Sequence, residues 1–195
     1  MRNVFKKVAV IALLTSSFPA LSQWQIDNDY STLSFISTKN SEIAEVHHFD
    51  KVMGSVDDNK GKVTFVIDLA SVNTMIPIRD QRMRDFLFKT SEFSKATFSA
   101  DVDTAFLKAL PVGQQKQIKL SGEIDLHGQQ QTVTAEVQIA KLTKDRLLVN
   151  SVKPVILNAK SFKLAAGVAK LQEIAGLANI SNAVPVSFSL TFVDK

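Results

Sequence analysis

The sequence predicts an all-β protein, a single closed antiparallel barrel of about eight strands. Apolar residues recur at every second position in segment after segment, which places them on one face of a strand. The connections between these segments are short, which favours antiparallel neighbours. The predicted helices are too short to cover one apolar face of a sheet, so the sheet is expected to fold on itself and close. A β-sandwich is the alternative architecture.

Residues 1–22 are predicted to be a cleaved secretory signal peptide. Arg2, Lys6 and Lys7 precede the uncharged apolar run from Val8 to Leu14, and Ala20-Leu21-Ser22 supplies the small residues of a cleavage site. The run is shorter than the ~20 residues that cross a bilayer, and no later segment approaches that length. The sequence therefore predicts export, with residues 23–195 as one mature domain.

Composition excludes several kinds of function. Removing the leader takes away three of 23 basic residues and none of the 19 acidic ones, so the mature chain has almost no net charge. Nucleic-acid binding needs a concentrated positive surface, which this balance does not predict. The chain has no cysteine, which excludes disulfides, thiolate metal sites, a cysteine nucleophile and a lipidated N-terminal cysteine.

Eight segments carry the strand pattern. Alternation is clearest in 63–69, where Val63, Phe65, Ile67 and Leu69 share one face, and in 118–126, 133–139 and 184–192. It is weaker at Trp24 to Thr38, Ile43 to Val56, Thr97 to Phe106 and Arg146 to Leu157. With about eight strands, a barrel interior holds packed side chains or one small ligand.

Two segments follow a helical period instead. Thr74 to Leu87 begins with a candidate Thr74 cap and has Pro77 in its first turn, which predicts a short helix after the third strand. Leu164 to Ala178 spaces its apolar residues helically, although Gly167 and Gly176 weaken the pattern. This second helix is predicted to lie at a barrel end, either as a packed plug or as a mobile lid.

Candidate catalytic groups are sparse. His47 and His48 are adjacent, and on a strand they would point to opposite faces and could not share one metal ion. His127 lies in a predicted turn, and the chain has no HExxH spacing and no G-x-S-x-G elbow. A carboxylate pair formed by residues distant in sequence stays open. We therefore expect no enzyme, no catalytic residues and no metal site, with a metal-dependent or carboxylate hydrolase as the alternative.

Aromatic usage indicates the kind of ligand. Of thirteen phenylalanines, only Phe5 and Phe18 lie in the leader, and the chain has one Trp and one Tyr. Phenylalanine offers hydrocarbon without the polar group of Trp or Tyr, so a cavity lined by it suits an aliphatic ligand. The alternative is that these rings fill a packed barrel, which would then act through surface partners, for instance under stress.

Three stretches resemble the YceI-like family across essentially the whole mature chain. They are Trp24-x-Ile26-Asp27 with Ser31-x-Leu33-Ser34-Phe35, then Ile78-Arg79-Asp80-x-Arg82-Met83-Arg84 with Leu87-Phe88-x-Thr90 and Phe93-x-x-Ala96, and finally Gly122-x-Ile124-x-Leu126-His127-Gly128 with Val133. The resemblance implies a periplasmic, lipocalin-like barrel of eight strands. It implies a bound polyisoprenoid or isoprenoid quinone as ligand, no other cofactor, no catalytic residues, and a homodimer. His47 and His48 stand where the family more often has a glycine.

The strand alternation names the residues expected to bind that ligand. The predicted interior lining is Phe35, Phe65, Phe98, Leu120, Ile124, Val137, Phe188 and Phe192. Arg79, Arg82 and Arg84 form a basic cluster on the first helix, which is either a solvated face or a rim that meets a polar head group. We place Arg79 and Arg82 nearest the head group. A register error of one residue would invert a whole strand.

Overall fold

The structure is a computed structural model that describes residues 23–57 and 59–194, with Gln23 described by its backbone alone. The predicted signal peptide lies outside the described residues, and its cleavage stays a prediction. Within the described residues, no helix is both long and apolar enough to cross a membrane.

In the part of the chain that the structure describes, eleven strand segments form one antiparallel sheet. In chain order they are β1 (Gln23–Lys39), β2 (Ile43–Phe49), β3 (Val52–Asp57), β4 (Lys62–Asp68), β5 (Val72–Asn73), β6 (Lys95–Asp101), β7 (Gln115–Leu126), β8 (Gln129–Thr143), β9 (Arg146–Ser151), β10 (Val155–Asn158) and β11 (Ala183–Asp194).

These segments build a closed barrel of eight strands, which confirms the predicted fold. β2 and β3 lie end to end along β1, and β9 and β10 lie end to end along β11. The two residues of β5 extend the edge of β2. The ring runs β1, β3, β4, β6, β7, β8, β9, β11, and the pairing of β11 with β1 closes it. The eight strands correspond to the eight segments that alternate in the sequence.

The seam between β6 and β7 is short. Both strands lie wholly within the described residues, and only three residue pairs join them, from Thr97↔Asp125 to Ser99↔Glu123. On its other side β7 pairs with β8 through twelve residues, from Gln115↔Ala140 to Leu126↔Gln129. Most of β7 therefore belongs to a long hairpin with β8 and extends beyond its contact with β6.

The first helical segment begins three residues later than predicted, ends one residue later and is less regular. Helix α1 (Pro77–Arg82) continues as a π-helix over Met83–Phe88. Thr74 is not its cap: Ile76 holds that position, and the Thr74 hydroxyl donates to Asp80 Oδ1 at 2.5 Å. The Thr74 cap prediction was wrong because the Thr74 hydroxyl bonds the side chain of Asp80, inside the helix, and not a backbone N–H of the first turn.

One predicted strand ends early. The segment predicted from Thr97 to Phe106 is a strand only as far as Asp101, and Phe106 lies in a short helix, α2 (Ala105–Ala109). Asp103 accepts a hydrogen bond from the Ala105 N–H at 2.9 Å, which starts the helix in place of a further strand residue. Leu69 likewise leaves β4 and begins a 3-10 helix, Leu69–Ser71, with Asp68 as its cap.

The second predicted helix is α3 (Ala165–Ala175), which follows a 3-10 helix over Ala159–Phe162. Gly176 ends α3 in the left-handed conformation, with φ +62°. Gly167 lies against the π-helix, and a Cβ there would stand 2.5 Å from the Phe86 carbonyl oxygen and 2.8 Å from Leu87 Cα. Of the two glycines that weaken the helical pattern, Gly176 ends α3 and Gly167 lets α3 pack closely against the π-helix.

The core consists of two apolar clusters, one toward each end of the barrel. At the helical end, Phe162, Leu164 and Val168 pack with Leu69, Met83 and Phe88. At the opposite end, Trp24, Leu107, Leu147 and Phe192 pack together and are all nearly inaccessible to solvent. Between the two ends, inward side chains such as Phe65 and Leu120 are only partly buried.

Candidate functional site

A cavity of about 590 Å³ occupies the inside of the barrel. Several inward side chains of the middle strands, such as Phe65, Leu120, Val133 and Phe188, are only partly buried although they point away from the outer surface. Their exposed area therefore faces the hollow. The volume lies within the range typical of pockets for small molecules and cofactors.

All ten residues predicted to contact a ligand lie in the cavity wall. They are Phe35 on β1, Phe65 on β4, Phe98 on β6, Leu120 and Ile124 on β7, Val137 on β8, Phe188 and Phe192 on β11, and Arg79 and Arg82 on α1. Their contact with a ligand stays a prediction.

The cavity is long as well as apolar. Along β7 it is lined from Ile118 to Leu126, and along β11 from Val184 to Phe192. Eight residue steps of about 3.3 Å, on strands tilted as in other barrels, give roughly 20 Å along the barrel axis. A slender chain fits this shape better than a compact ring system does.

One end of the cavity is closed. Leu107 of α2 packs over Trp24, Leu147 and Phe192, and each of these residues is at most 5% exposed. Phe106 and Leu110 are partly buried against the same cluster. This end forms an apolar floor.

The other end opens beside α1. Ile76 and Ile78 line the cavity, yet they are 44% and 59% exposed, so the wall there reaches the outside. Opposite them, Leu171 and Ile174 of α3 line the same space. We call this opening the mouth.

Polar groups are concentrated at the mouth. Arg79 donates from Nη1 to Glu45 at 2.8 Å, from Nε to Thr74 Oγ1 at 2.8 Å and from Nη2 to the Thr74 carbonyl at 2.7 Å. Lys39 Nζ lies 2.8 Å from the same Glu45 carboxylate. The hydrogen bond from Lys39, with the positive charges of Arg79 and Lys39, lowers the pKa of Glu45 despite its burial. These contacts fix three charged side chains at the rim.

Arg82 differs from Arg79. It lines the cavity one helical turn further along, and within residues 23–57 and 59–194 its side chain makes no hydrogen bond or ion pair. Four charged residues line the described part of the cavity, namely Lys39, Glu45, Arg79 and Arg82, and three of them are cations. The mouth therefore has an excess of positive charge and an arginine free to bind an oxygen atom of a ligand.

The two adjacent histidines lie on opposite faces of β2. His47 faces inward, is 3% exposed and contacts the edge of the Phe35 ring. His48 faces outward, 3.0 Å from Asp50. Burial, together with the positive charge of Arg79, lowers the pKa of His47, so its imidazole is neutral at neutral pH.

The buried histidine predicts a pH-dependent stability. Because the folded protein disfavours protonated His47, the unfolded chain binds that proton more readily, and the free energy of unfolding should fall as the pH drops below about 6.5. His127, whose pKa is also lowered by burial, contributes with the same sign. Urea unfolding at pH 7.5 and pH 5.5 measures the loss.

In this experiment, His47→Phe should lose less stability on acidification than the wild type, since it keeps a ring against Phe35 without a titrating group. His48→Phe on the outer face serves as the matched control. Equal pH dependence in the wild type and His47→Phe would contradict the assignment.

The metal site and the cavity carboxylate pair of the hydrolase alternative are not formed by the described residues. Among them, no cluster of three or more His, Asp or Glu side chains is placed to hold a metal ion. Glu45 is the one carboxylate among the described residues of the cavity wall, whereas a glycosidase-type mechanism uses two. The side chains inside the barrel form an apolar wall that can bury a ligand, with polar groups at one rim.

Sequence reasoning missed part of the rim. Lys39, Glu45, His47 and the α3 residues Leu171 and Ile174 line the cavity but were not predicted to do so. The alternation of β2 places Glu45 and His47 on one face, which was a usable signal. Nothing local in the sequence indicates that α3 turns those side chains toward the mouth.

The sequence matches the profile of the YceI-like domain over residues 24–192, nearly the whole described chain. The chain belongs to the YceI-like domain family. A comparison with curated proteins gives no significant match. The family assignment agrees with the resemblance found in the sequence.

Solved structures share the fold of this YceI-like domain. A polyisoprenoid binding domain from Saccharophagus degradans, implicated in plant cell wall breakdown, is 35% identical, with a TM-score of 0.86 over 88% of this chain and 98% of that one. Burkholderia cenocepacia BcnA is 19% identical, with a TM-score of 0.65 over 85% and 98%. A YceI protein of Campylobacter jejuni is 16% identical, with a TM-score of 0.53 over 76% and 84%. The last two support the barrel fold alone.

Proposed function

We propose that this YceI-like domain is a carrier that binds a long apolar ligand with one polar end, of the polyisoprenoid or isoprenoid quinone class, inside the barrel. The observation that carries the proposal is the cavity: roughly 20 Å of hydrocarbon wall with polar side chains at one end only. A relative that is 35% identical is a polyisoprenoid binding domain, which supports the same ligand class.

The energetics favour such a ligand. Burying each methylene group contributes about 0.8 kcal/mol, so a partly inserted chain already offers a large gross gain. Ordering the ligand and the general ceiling on affinity limit the net value. The apolar floor at Leu107 and the arginines at the rim orient the ligand. Its tail lies toward Leu107, and its oxygen-bearing end lies toward Arg79 and Arg82.

The ligand is held without chemical change in this proposal. The one carboxylate in the described part of the wall, Glu45, is bound by Arg79 and Lys39, and His47 Nε2 lies 4.0 Å from it, so its charge is already engaged at the rim. Among the described residues, Arg82 remains free to bind a head group. We propose that the domain works in the periplasm after removal of residues 1–22, where it would keep an insoluble lipid dispersed or move it between membranes.

Native mass spectrometry of the protein purified from a periplasmic extract tests these points together. We expect a polypeptide that begins at Gln23 and carries a noncovalent hydrophobic adduct, which organic extraction releases and identifies. A chain that retains residues 1–22 would contradict cleavage of the leader, and absence of the protein from the periplasmic extract would contradict export. A barrel that is always empty and also fails to take up added isoprenoid quinone would contradict the carrier function.

A further inference from the structure

The rim of the mouth exposes apolar side chains to solvent. Met75 is 80% exposed, Ile78 59%, Ile76 44% and, on the neighbouring β2, Ile43 49%. Glu45 lies two residues after Ile43 on the same strand face and is bonded to Arg79 of α1, so the two elements border one opening. We call Ile43, Met75, Ile76 and Ile78 the lip.

The backbone holds the lip in a costly conformation. Met75 has φ +62°, in the left-handed region that methionine rarely adopts. The turn is fixed by the Met75 N–H, which donates to Asn73 Oδ1 at 2.9 Å, and by Thr74, which binds Asp80 through its N–H and its hydroxyl. A strained residue that is also the most exposed large apolar side chain of the described residues indicates a role in binding.

Positive charge accompanies the lip. Lys39, Arg79 and Arg82 line the mouth with Glu45 as their one acidic neighbour in the wall, and Arg82 has no partner in the described part of the chain. Arg84, on the same helical segment, binds the Ala70 carbonyl and Gln81 rather than a carboxylate.

On the other side of Met75, Asp50 and Asp80 line a small polar pocket with Arg84, and they accept hydrogen bonds from Asn73 and Thr74. The excess of cations therefore lies on the cavity side of the lip, and apolar side chains beside cations match the boundary between acyl chains and anionic head groups of a bilayer.

We propose that the lip docks the barrel, mouth first, on an anionic phospholipid bilayer. Ile43, Met75, Ile76 and Ile78 would enter the acyl boundary while Arg79 and Arg82 bind lipid phosphates. The mouth would then open into the bilayer, so that an apolar ligand passes into the barrel without crossing water. The purpose of docking rests on the proposed carrier function, but the docking itself can be measured with an empty barrel.

Charge also favours a bilayer over a second copy of the chain as the partner of this surface. A two-fold symmetric contact brings the same patch of both protomers together, so Arg79 and Arg82 would approach their own copies. Like charges brought together in a buried contact are unfavourable, whereas an anionic surface neutralises them.

Vesicle cosedimentation of the mature protein tests the proposal. We expect binding to vesicles of phosphatidylethanolamine and phosphatidylglycerol, and weaker binding to vesicles of phosphatidylcholine alone. Met75→Ser should weaken binding about fivefold, because it removes buried apolar area. Met53→Ser is the matched control: Met53 is 52% exposed on β3, away from the mouth, and its loss should leave vesicle binding unchanged.

A second pair of variants tests the charges. Arg82→Gln should weaken binding to the anionic vesicles about fivefold and affect binding to zwitterionic phosphatidylcholine much less, because that surface has no net negative charge. Lys144, exposed in the β8–β9 turn at the floor end, is the control for charge, and Lys144→Gln should have little effect. Met75→Gly checks folding, since glycine accepts φ +62° and should raise the unfolding temperature while it weakens docking.

The outcomes separate docking from ligand binding. No binding to anionic vesicles, or equal effects of Met75→Ser and Met53→Ser, would overturn the docking proposal. A dimer in light scattering that Met75→Ser dissociates, without vesicle binding, would instead make the lip an interface between two copies. Met75 lies outside the cavity wall, so Met75→Ser should retain isoprenoid quinone loaded from detergent. Docking without ligand retention would overturn the carrier function alone.

Discussion

Leu120→Trp should reduce the affinity for an isoprenoid quinone more than 100-fold while the barrel stays folded. Leu120 points inward from β7 opposite Ala135 and is only partly buried, so a larger ring at this position extends into the hollow. An indole midway along the cavity would keep the hydrocarbon chain of the ligand out of the part of the cavity between residue 120 and the floor. Losing about four buried methylene groups costs roughly 3 kcal/mol, which corresponds to a factor of more than 100 in the dissociation constant.

The measurement is quinone retained after gel filtration, read by absorbance over a range of loading concentrations. Thr132→Trp is the matched control, because Thr132 is exposed on the outer face of β8 and a tryptophan there adds the same ring without entering the cavity. Urea unfolding of both variants without ligand shows whether either is misfolded. Retention that is equal in the two variants would mean that the ligand does not occupy the barrel.

Gly122→Val should destabilise the protein by about 3 kcal/mol. The Gly122 Cα faces the Phe98 ring, and a Cβ built there would stand 2.5 Å from Phe98 Cζ and closer still to the Ser99 carbonyl oxygen. The ring can turn aside, but the backbone oxygen moves only if β6 shifts. Overpacking of this kind typically costs about 1–3 kcal/mol, and a shift of β6 would also disturb a β6–β7 seam that consists of three residue pairs.

Urea unfolding measures this loss as a lower midpoint at an unchanged slope. Ser121→Val is the control on the same strand: it adds the same branched side chain on the outer face and loses one exposed hydroxyl contact with Thr134. We expect its effect to stay within about 1 kcal/mol. A similar loss in both variants would show that β-branched side chains disturb this strand generally and that the contact with Phe98 is not decisive.

Most of the barrel could be predicted because inward apolar and outward polar residues alternate along its strands. In β7, the alternation of Ile118, Leu120 and Ile124 with Lys119 and Glu123 already states which side chains face inward. The same rule placed every predicted lining residue in the cavity wall. The break between β2 and β3 moves the inward positions from odd-numbered residues, such as His47, to even-numbered ones, such as Val56. Both segments still lie along β1 as one barrel strand, so the predicted count of barrel strands was correct.

The mouth was harder to predict because contacts distant in sequence build it. Glu45 and Arg79 meet across 34 residues, and neither side chain is unusual in its own segment. The π-helix after Arg82 also has no simple sequence signal, yet it brings Met83 and Phe88 into the core. Asp103 shows the opposite case: a residue that often starts a turn follows β6 and could have ended the predicted strand before Phe106.

Among the described residues, the first part of β7, from Gln115 to Ser121, has no strand partner on the side toward β6. An unpaired row of amide and carbonyl groups can recruit another chain and start aggregation. Lys116 and Lys119 place charge along this stretch, and Lys116 lies over the Phe106 ring of α2, 4.8 Å from its centre. Solubility at high concentration should therefore depend on these two lysines, since they deter intermolecular strand addition.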